Sequence, residues 1–122
     1  MSLNNADIGE AYYKAMEAKD MTKIESYLHP DVVFIGPLAE VKGKVAVLAA
    51  AKGFSSFLKK ITMRSKFSSE TQAMLAYDMD CPEPIGTFRA ATLMTLQKGL
   101  ITKLELFYDA RPFEEKKKEI FS

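Results

Sequence analysis

The sequence predicts an α+β fold, with helices gathered on one face of a curved sheet. Apolar residues recur at spacings of three and four through the first half of the chain, whereas the second half alternates between apolar and polar residues. The alternating runs are joined by short turns at Glu70-Thr71, Pro82-Glu83-Pro84 and Lys98-Gly99, which suit antiparallel neighbours.

The first helix is expected to begin near Asp7, as N-cap, and to run through IGEAYYKAMEAK. Ile8, Ala11, Tyr12, Ala15 and Met16 form its apolar stripe, opposite Glu10, Lys14 and Glu17. Tyr12 then points inward and Tyr13 sits on the flank. A second amphipathic segment, MTKIESYL, gathers Met21, Ile24, Tyr27 and Leu28. It should end at His29-Pro30, because the residue before proline avoids the helical region. The two helices can close like a lid.

Residues 32–35 are a β-branched and aromatic run stopped by Gly36-Pro37, a strand entering a turn. A third helix spans residues 44–60 with Val47, Leu48, Ala51, Phe54 and Leu58 on one side. Gly53 inside it costs about 1 kcal/mol relative to Ala and is a place for a kink. Strands are expected over residues 61–69, 72–80, 85–97 and 100–109. The last, LITKLELFYD, is the clearest: Leu100, Thr102, Leu104, Leu106 and Tyr108 face inward, and Ile101, Lys103, Glu105, Phe107 and Asp109 face outward. The tail, FEEKKKEIFS, reads as a frayed or docked terminal helix.

The 122 residues fit one domain, residues 1–122, with a core over 6–113 and a charged tail over 114–122. A 48% hydrophobic and 27% charged composition is that of an ordinary globular domain. A net charge of +1, without a basic patch interleaved with aromatics, argues against nucleic acid as partner. Cys81 is the only cysteine, so an intrachain disulfide and a cysteine-rich zinc site are excluded. The sequence carries no metal-ligand spacing, glycine-rich phosphate loop or cofactor fingerprint, so neither metal nor cofactor is expected. It shows no run of eighteen apolar residues and no basic-then-apolar leader, which implies a cytoplasmic protein with no membrane partner.

The order of segments is an amphipathic helix, then EAKDMTKIESYLHPDVVFIGP, a short GK-initiated helix, and a meander ending GLITKLELFYD. This order resembles the nuclear transport factor 2-like superfamily, in particular the branch holding SnoaL-type polyketide cyclases and ketosteroid isomerase. The resemblance spans residues 6–113 and marks the chain as a single SnoaL-like domain. It implies a cone-shaped, cystatin-like α+β barrel: a curved antiparallel sheet with three N-terminal helices on its concave face and a pocket between them. It also implies a homodimer through the outer sheet face.

Ketosteroid isomerase uses a tyrosine on the first helix, a general-base aspartate in an Asp-Pro pair, and a protonated aspartic acid in the penultimate strand. These positions match Tyr12, Gly36-Pro37, and Thr92 or a neighbour. Epoxide hydrolases of the fold place an acid where this chain has Leu106, with an Arg and an Asp matching Ala90 and Thr92. The resemblance thus implies the scaffold without its known acid/base groups. The same scaffold carries isomerases, cyclases, dehydratases and proteins with no known activity, so it does not itself license a reaction.

Carrying the alternation round the sheet places Phe88, Ala90, Thr92, Met94 and Leu96 inside, with Leu75, Tyr77 and Met79 beside them. The expected ligand site is Tyr12, Met16, Tyr77, Met79, Thr92, Met94, Leu104, Leu106 and Tyr108. Its methionines, aliphatics and phenols suit a small, largely apolar molecule, to which Tyr12, Tyr77, Tyr108 and Thr92 offer polar contacts. The same residues also fit a simply filled core. The alternative is a cofactor-free isomerase, cyclase or dehydratase acting on a polycyclic or ketone-type substrate. Tyr12 would then be acid or oxyanion donor, and His29, Glu40 or Glu83 the base, His29 being the one side chain that titrates near neutrality unaided. A third reading is a structural or protein-binding module. A carboxylate or imidazole within about 6 Å of the cavity hydroxyls would favour catalysis. Arg64, Lys66, Asp78, Asp80, Arg89, Lys103 and Glu105 are expected on the outer face, as ion pairs or a dimer contact. Asp109 and Arg111 should pair structurally, and Cys81 should be an ordinary thiol.

Overall fold

Asn4 caps the first helix, its Oδ1 accepting from the Asp7 N–H at 2.8 Å, so Asp7 lies inside the first turn rather than before it. The computed structural model describes residues 4–116. In chain order these form α1 (Asn5–Glu17), α2 (Met21–Ser26), β1 (Leu28–Ile35), β2 (Glu40–Lys42), α3 (Lys44–Ser55), β3 (Lys60–Ser68), β4 (Gln72–Asp80), β5 (Thr87–Gln97), β6 (Leu100–Tyr108) and a terminal 3-10 helix (Arg111–Lys116). The rest of the tail lies outside the described residues.

The strands form one sheet in the order β2-β1-β6-β5-β4-β3, curved and open rather than closed into a barrel. The meander from β3 to β6 is antiparallel as expected, and β1 pairs antiparallel with β2. β1 and β6, however, run parallel, Ile35 opposite Glu105, so the sheet is mixed. The long connection between them, which includes α3 and the meander, permits this.

His29-Pro30 is not a helix end. α2 stops at Ser26, the Tyr27 carbonyl accepts from the Ile101 N–H at 2.8 Å, and Leu28 already pairs with Ile101. A register shift between Leu28 and Val33 accommodates Pro30, whose missing N–H cannot join the ladder. Ile24 is fully buried, so α2 is a packed part of the core and not a lid. α3 also ends earlier than expected, at Ser55. Lys19 donates to the carbonyls of Ser55 and Leu58, and Lys59 enters the sheet through the Asp80 carbonyl at 2.8 Å. Ile85 falls in the turn before β5, where the Cys81 N–H donates to the Gly86 carbonyl at 3.0 Å.

Two bulges alter the alternation. Thr95 pairs with Lys103 but Leu96 with Ile101, which leaves Thr102 unpaired in the ladder, its hydroxyl on the Thr95 carbonyl at 3.1 Å. Leu104, Leu106 and Tyr108 keep the expected phase, but below the bulge Ile101, not Leu100 or Thr102, faces inward and is fully buried. In β3 the register shifts between Met63 and Ser65. Ile61 and Met63 face the helices, and past the shift so does Lys66, which sits opposite the inward Leu75. Lys66 therefore leaves the outer face and reaches Asp7 and Glu10 of α1 at 2.7 and 2.9 Å.

The outer face does hold Asp78 between Arg64 at 3.2 Å and Arg89 at 3.9 Å, pairs that contribute little individually. It also exposes Phe67, Met74 and Phe107. No helix among the described residues is long and apolar enough to cross a membrane.

Candidate functional site

The site begins at Gly9. A Cβ there would lie 2.8 Å from Leu75 Cδ1 and 3.1 Å from Met94 Sδ, so the missing side chain lets α1 rest directly on β4 and β5. Tyr13 stands one turn further along the same helix face and is carried inward. The expectation that only Tyr12 is inward is thus corrected: both tyrosines are buried, their rings edge to face with centroids 5.2 Å apart. The i, i+4 relation between Gly9 and Tyr13 was the available signal.

Tyr13 meets two sheet residues that alternation places inside. Its hydroxyl lies 2.5 Å from Thr92 Oγ1, the Tyr77 hydroxyl donates to it at 2.9 Å, and Tyr77 and Thr92 are 2.6 Å apart. Each hydroxyl has one proton. With Tyr77 donating to Tyr13, Tyr13 donates to Thr92 and Thr92 to Tyr77, and the ring of three is closed. Burial without charge compensation drives the phenols of Tyr13 and Tyr77 well above their ordinary range, so both stay protonated.

Against this ring lies a cavity of about 50 Å³, room for a few water molecules. Of the expected ligand residues, Tyr12, Met16, Tyr77, Met79, Thr92, Leu104, Leu106 and Tyr108 line it. Met94 is fully buried but belongs beneath Gly9, outside the lining. Alternation alone did not reveal Tyr13, Phe34, Val47, Ala50, Ala51, Phe54 and Phe113, which also line it. Val47, Ala51 and Phe54 were visible as a helix stripe, and Phe113 only as an apolar residue after Pro112.

The Tyr12 hydroxyl has no hydrogen-bond partner among the described residues, although the residue is 3% exposed. Desolvation, and then the neighbouring Tyr13, drive its phenol upward as well. At the other side, Tyr108 packs with Phe88 and Phe113, and burial pushes its phenol up to about 12. Phe113 also meets Phe54 and Phe88 edge to face, with centroids 6.2 and 4.8 Å away.

The suggested bases do not reach this space. His29 lies half-buried in β1 with Nδ1 accepting from the Asp31 N–H at 3.0 Å; Glu40 in β2 and Glu83 in its turn are exposed; none lines the cavity. Gly36 donates from its N–H to the Ala39 carbonyl at 3.0 Å within the turn after β1. Among the described residues the cavity lining contains no Asp, Glu, His, Lys or Arg. The buried Cys81 thiol is pushed up to about 11, chiefly by desolvation, as suits an unreactive thiol. Asp109 pairs with Arg111 as expected, and the guanidinium holds its carboxyl down to about 2. Among the described residues no group of three or more His, Cys, Asp or Glu is placed to hold a metal ion. The arrangement can enclose an apolar molecule and donate a hydrogen bond; among the described residues it offers no acceptor for a carbon-bound proton.

Solved structures place this geometry among known folds. A protein from Kribbella flavida is 28% identical, with a TM-score of 0.87 and 96% of each chain covered. A putative polyketide cyclase from Sinorhizobium meliloti is 20% identical over 83% of this chain and 94% of its own, with a TM-score of 0.75. A steroid delta-isomerase from Pseudomonas aeruginosa is 16% identical over 98% and 90%, with a TM-score of 0.78. No curated protein matches the chain. The sequence profile of the SnoaL-like domain matches residues 10–104, and with that span the chain belongs to the SnoaL-like domain family.

Proposed function

We propose that this protein binds a small, largely apolar molecule in the cavity between α1, α3 and the sheet, and that it does so without catalysing an isomerase, cyclase or dehydratase reaction. One observation carries the reading: among the described residues the ionisable side chains of the lining are four tyrosines, Tyr12, Tyr13, Tyr77 and Tyr108, each held protonated by burial. A reaction that begins at a carbon-bound hydrogen needs an acceptor within hydrogen-bond reach or one water away, and no described lining residue provides it. Likeness in fold to a steroid isomerase and a putative cyclase is compatible with a ligand cavity but carries no reaction with it.

Tyr12 and Tyr108 supply the polar contacts, since the hydroxyls of Tyr77 and Thr92 are committed to one another and to Tyr13. The reading takes the protein to be cytoplasmic and cofactor-free. It also takes it to be a homodimer through the outer sheet face, a role supported by the exposed Phe67, Met74 and Phe107.

Native mass spectrometry against a panel of aromatic and ketone compounds tests the ligand reading. The expected result is an adduct released chemically unchanged; turnover of a panel compound, or no adduct with any of them, overturns it. Sedimentation of Phe107→Glu tests the dimer: the variant should sediment as a monomer where the parent protein is dimeric.

A further inference from the structure

A cavity of about 50 Å³ is small beside the ~150 Å³ in which a protein interior takes up benzene, so a ring enters most readily where a lining side chain gives way. Every described lining residue but one stands on a strand or on α1 or α3. The exception is Phe113, on the terminal 3-10 helix. Its N–H donates to the nearby Ala110 carbonyl at 2.9 Å, and the Arg111 side chain and N–H are engaged with Asp109 two residues away. Pro112 has no N–H to give. The ring of Phe113 ties this turn to the body: it is 2% exposed and set edge to face against Phe54, Phe88 and Tyr108.

We infer that Phe113 is a tethered plug, standing where the ring of a small aromatic ligand binds. The inference rests on the reading of the cavity as a ligand site and names the ligand class: one planar ring, carrying a hydrogen-bonding oxygen that the Tyr12 hydroxyl, without a partner among the described residues, can reach. Phe54, Phe88 and Tyr108 receive the ring of the ligand as they receive that of Phe113, edge to face. The Phe113 turn swings out as the ligand enters. Binding of the ligand and release of Phe113 are then one equilibrium, and the apparent affinity is lowered by the fraction of protein whose plug is out.

The test uses p-cresol, a single methylated ring with one hydroxyl, on the full chain. Calorimetry should show Phe113→Ala binding it about tenfold more tightly than the parent protein, as expected where the plug is out in roughly a tenth of molecules. Leu58→Ala, which opens space at a buried leucine away from the lining, should show no gain. In the parent protein, saturating p-cresol should speed hydrogen exchange at the Phe113 amide, a readout that stands even where Phe113→Ala does not fold. Binding by the parent protein with unchanged exchange at Phe113 overturns the plug and leaves the ligand cavity intact. Binding by neither the parent protein nor a folded Phe113→Ala overturns both.

Discussion

Two walls of one cavity hold their side chains by different physics. Along one, Tyr13, Tyr77 and Thr92 close a ring of hydroxyl hydrogen bonds, on elements that belong to the sheet or rest on it. Along the other, Phe54, Tyr108 and Phe113 meet ring to ring, backed by Phe88, and Phe113 comes from the turn after β6. Three donors and three acceptors that satisfy one another admit no substitute. An edge-to-face ring contact, worth about 0.5–1.5 kcal/mol beyond its buried area, accepts any ring that fits. The hydroxyl wall fixes the shape of the site, and the aromatic wall is where exchange takes place.

Alkaline pH should separate the two most strongly. Tyr12, Tyr13 and Tyr77 keep their protons in the folded chain above the pH at which an unfolded tyrosine, near 10, releases its own. The unfolded state then binds fewer protons, so stability is intact below pH 10 and falls as pH rises beyond it. At about 1.4 kcal/mol per pH unit for each buried phenol, roughly 4 kcal/mol should be gone by pH 11. Tyr108, partly exposed and raised to about 12, acts in the same direction between pH 10 and 12. Urea midpoints at pH 8, 10 and 11 measure this, and a flat profile would remove the dry hydroxyl wall.

Thr92→Val addresses that wall alone. Valine keeps the shape, removes the hydroxyl bonded to both phenols, and should cost about 1–3 kcal/mol in urea unfolding at neutral pH. Phe113→Ala should cost about 2 kcal/mol, below the ~3–5 kcal/mol usual for a buried phenylalanine, because a terminal turn rather than the core gives way. A full-sized loss would place Phe113 with the fixed wall. The smallest effect belongs to Tyr12→Phe, which removes a hydroxyl that bonds nothing among the described residues and should change stability by less than about 0.5 kcal/mol.

The same contrast explains what could be read from the sequence. Alternation in β4 and β5 placed Tyr77, Met79 and Thr92 inside because a side-chain period of two survives unless a bulge intervenes. It failed at Ile101 and Lys66, where bulges at Thr102 and between Met63 and Ser65 reverse the phase, and neither strand's sequence announces them. The position of Tyr13 depended on how closely α1 approaches the sheet, a tertiary fact recorded only in the small size of Gly9. His29 was misplaced because a proline that cannot continue a helix is equally at home at an irregular point of a strand. Phe113 was out of reach of periodicity, since six residues of 3-10 helix carry too short a pattern.

The Tyr12 hydroxyl links geometry to ligand, and one calorimetric comparison decides its role: p-cresol against toluene, in the parent protein and in Tyr12→Phe. The parent protein should prefer p-cresol by about tenfold, the equivalent of one buried hydrogen bond, and Tyr12→Phe should bind the two alike. An undiminished preference for p-cresol in Tyr12→Phe, or binding of neither compound by the parent protein, would contradict the site described.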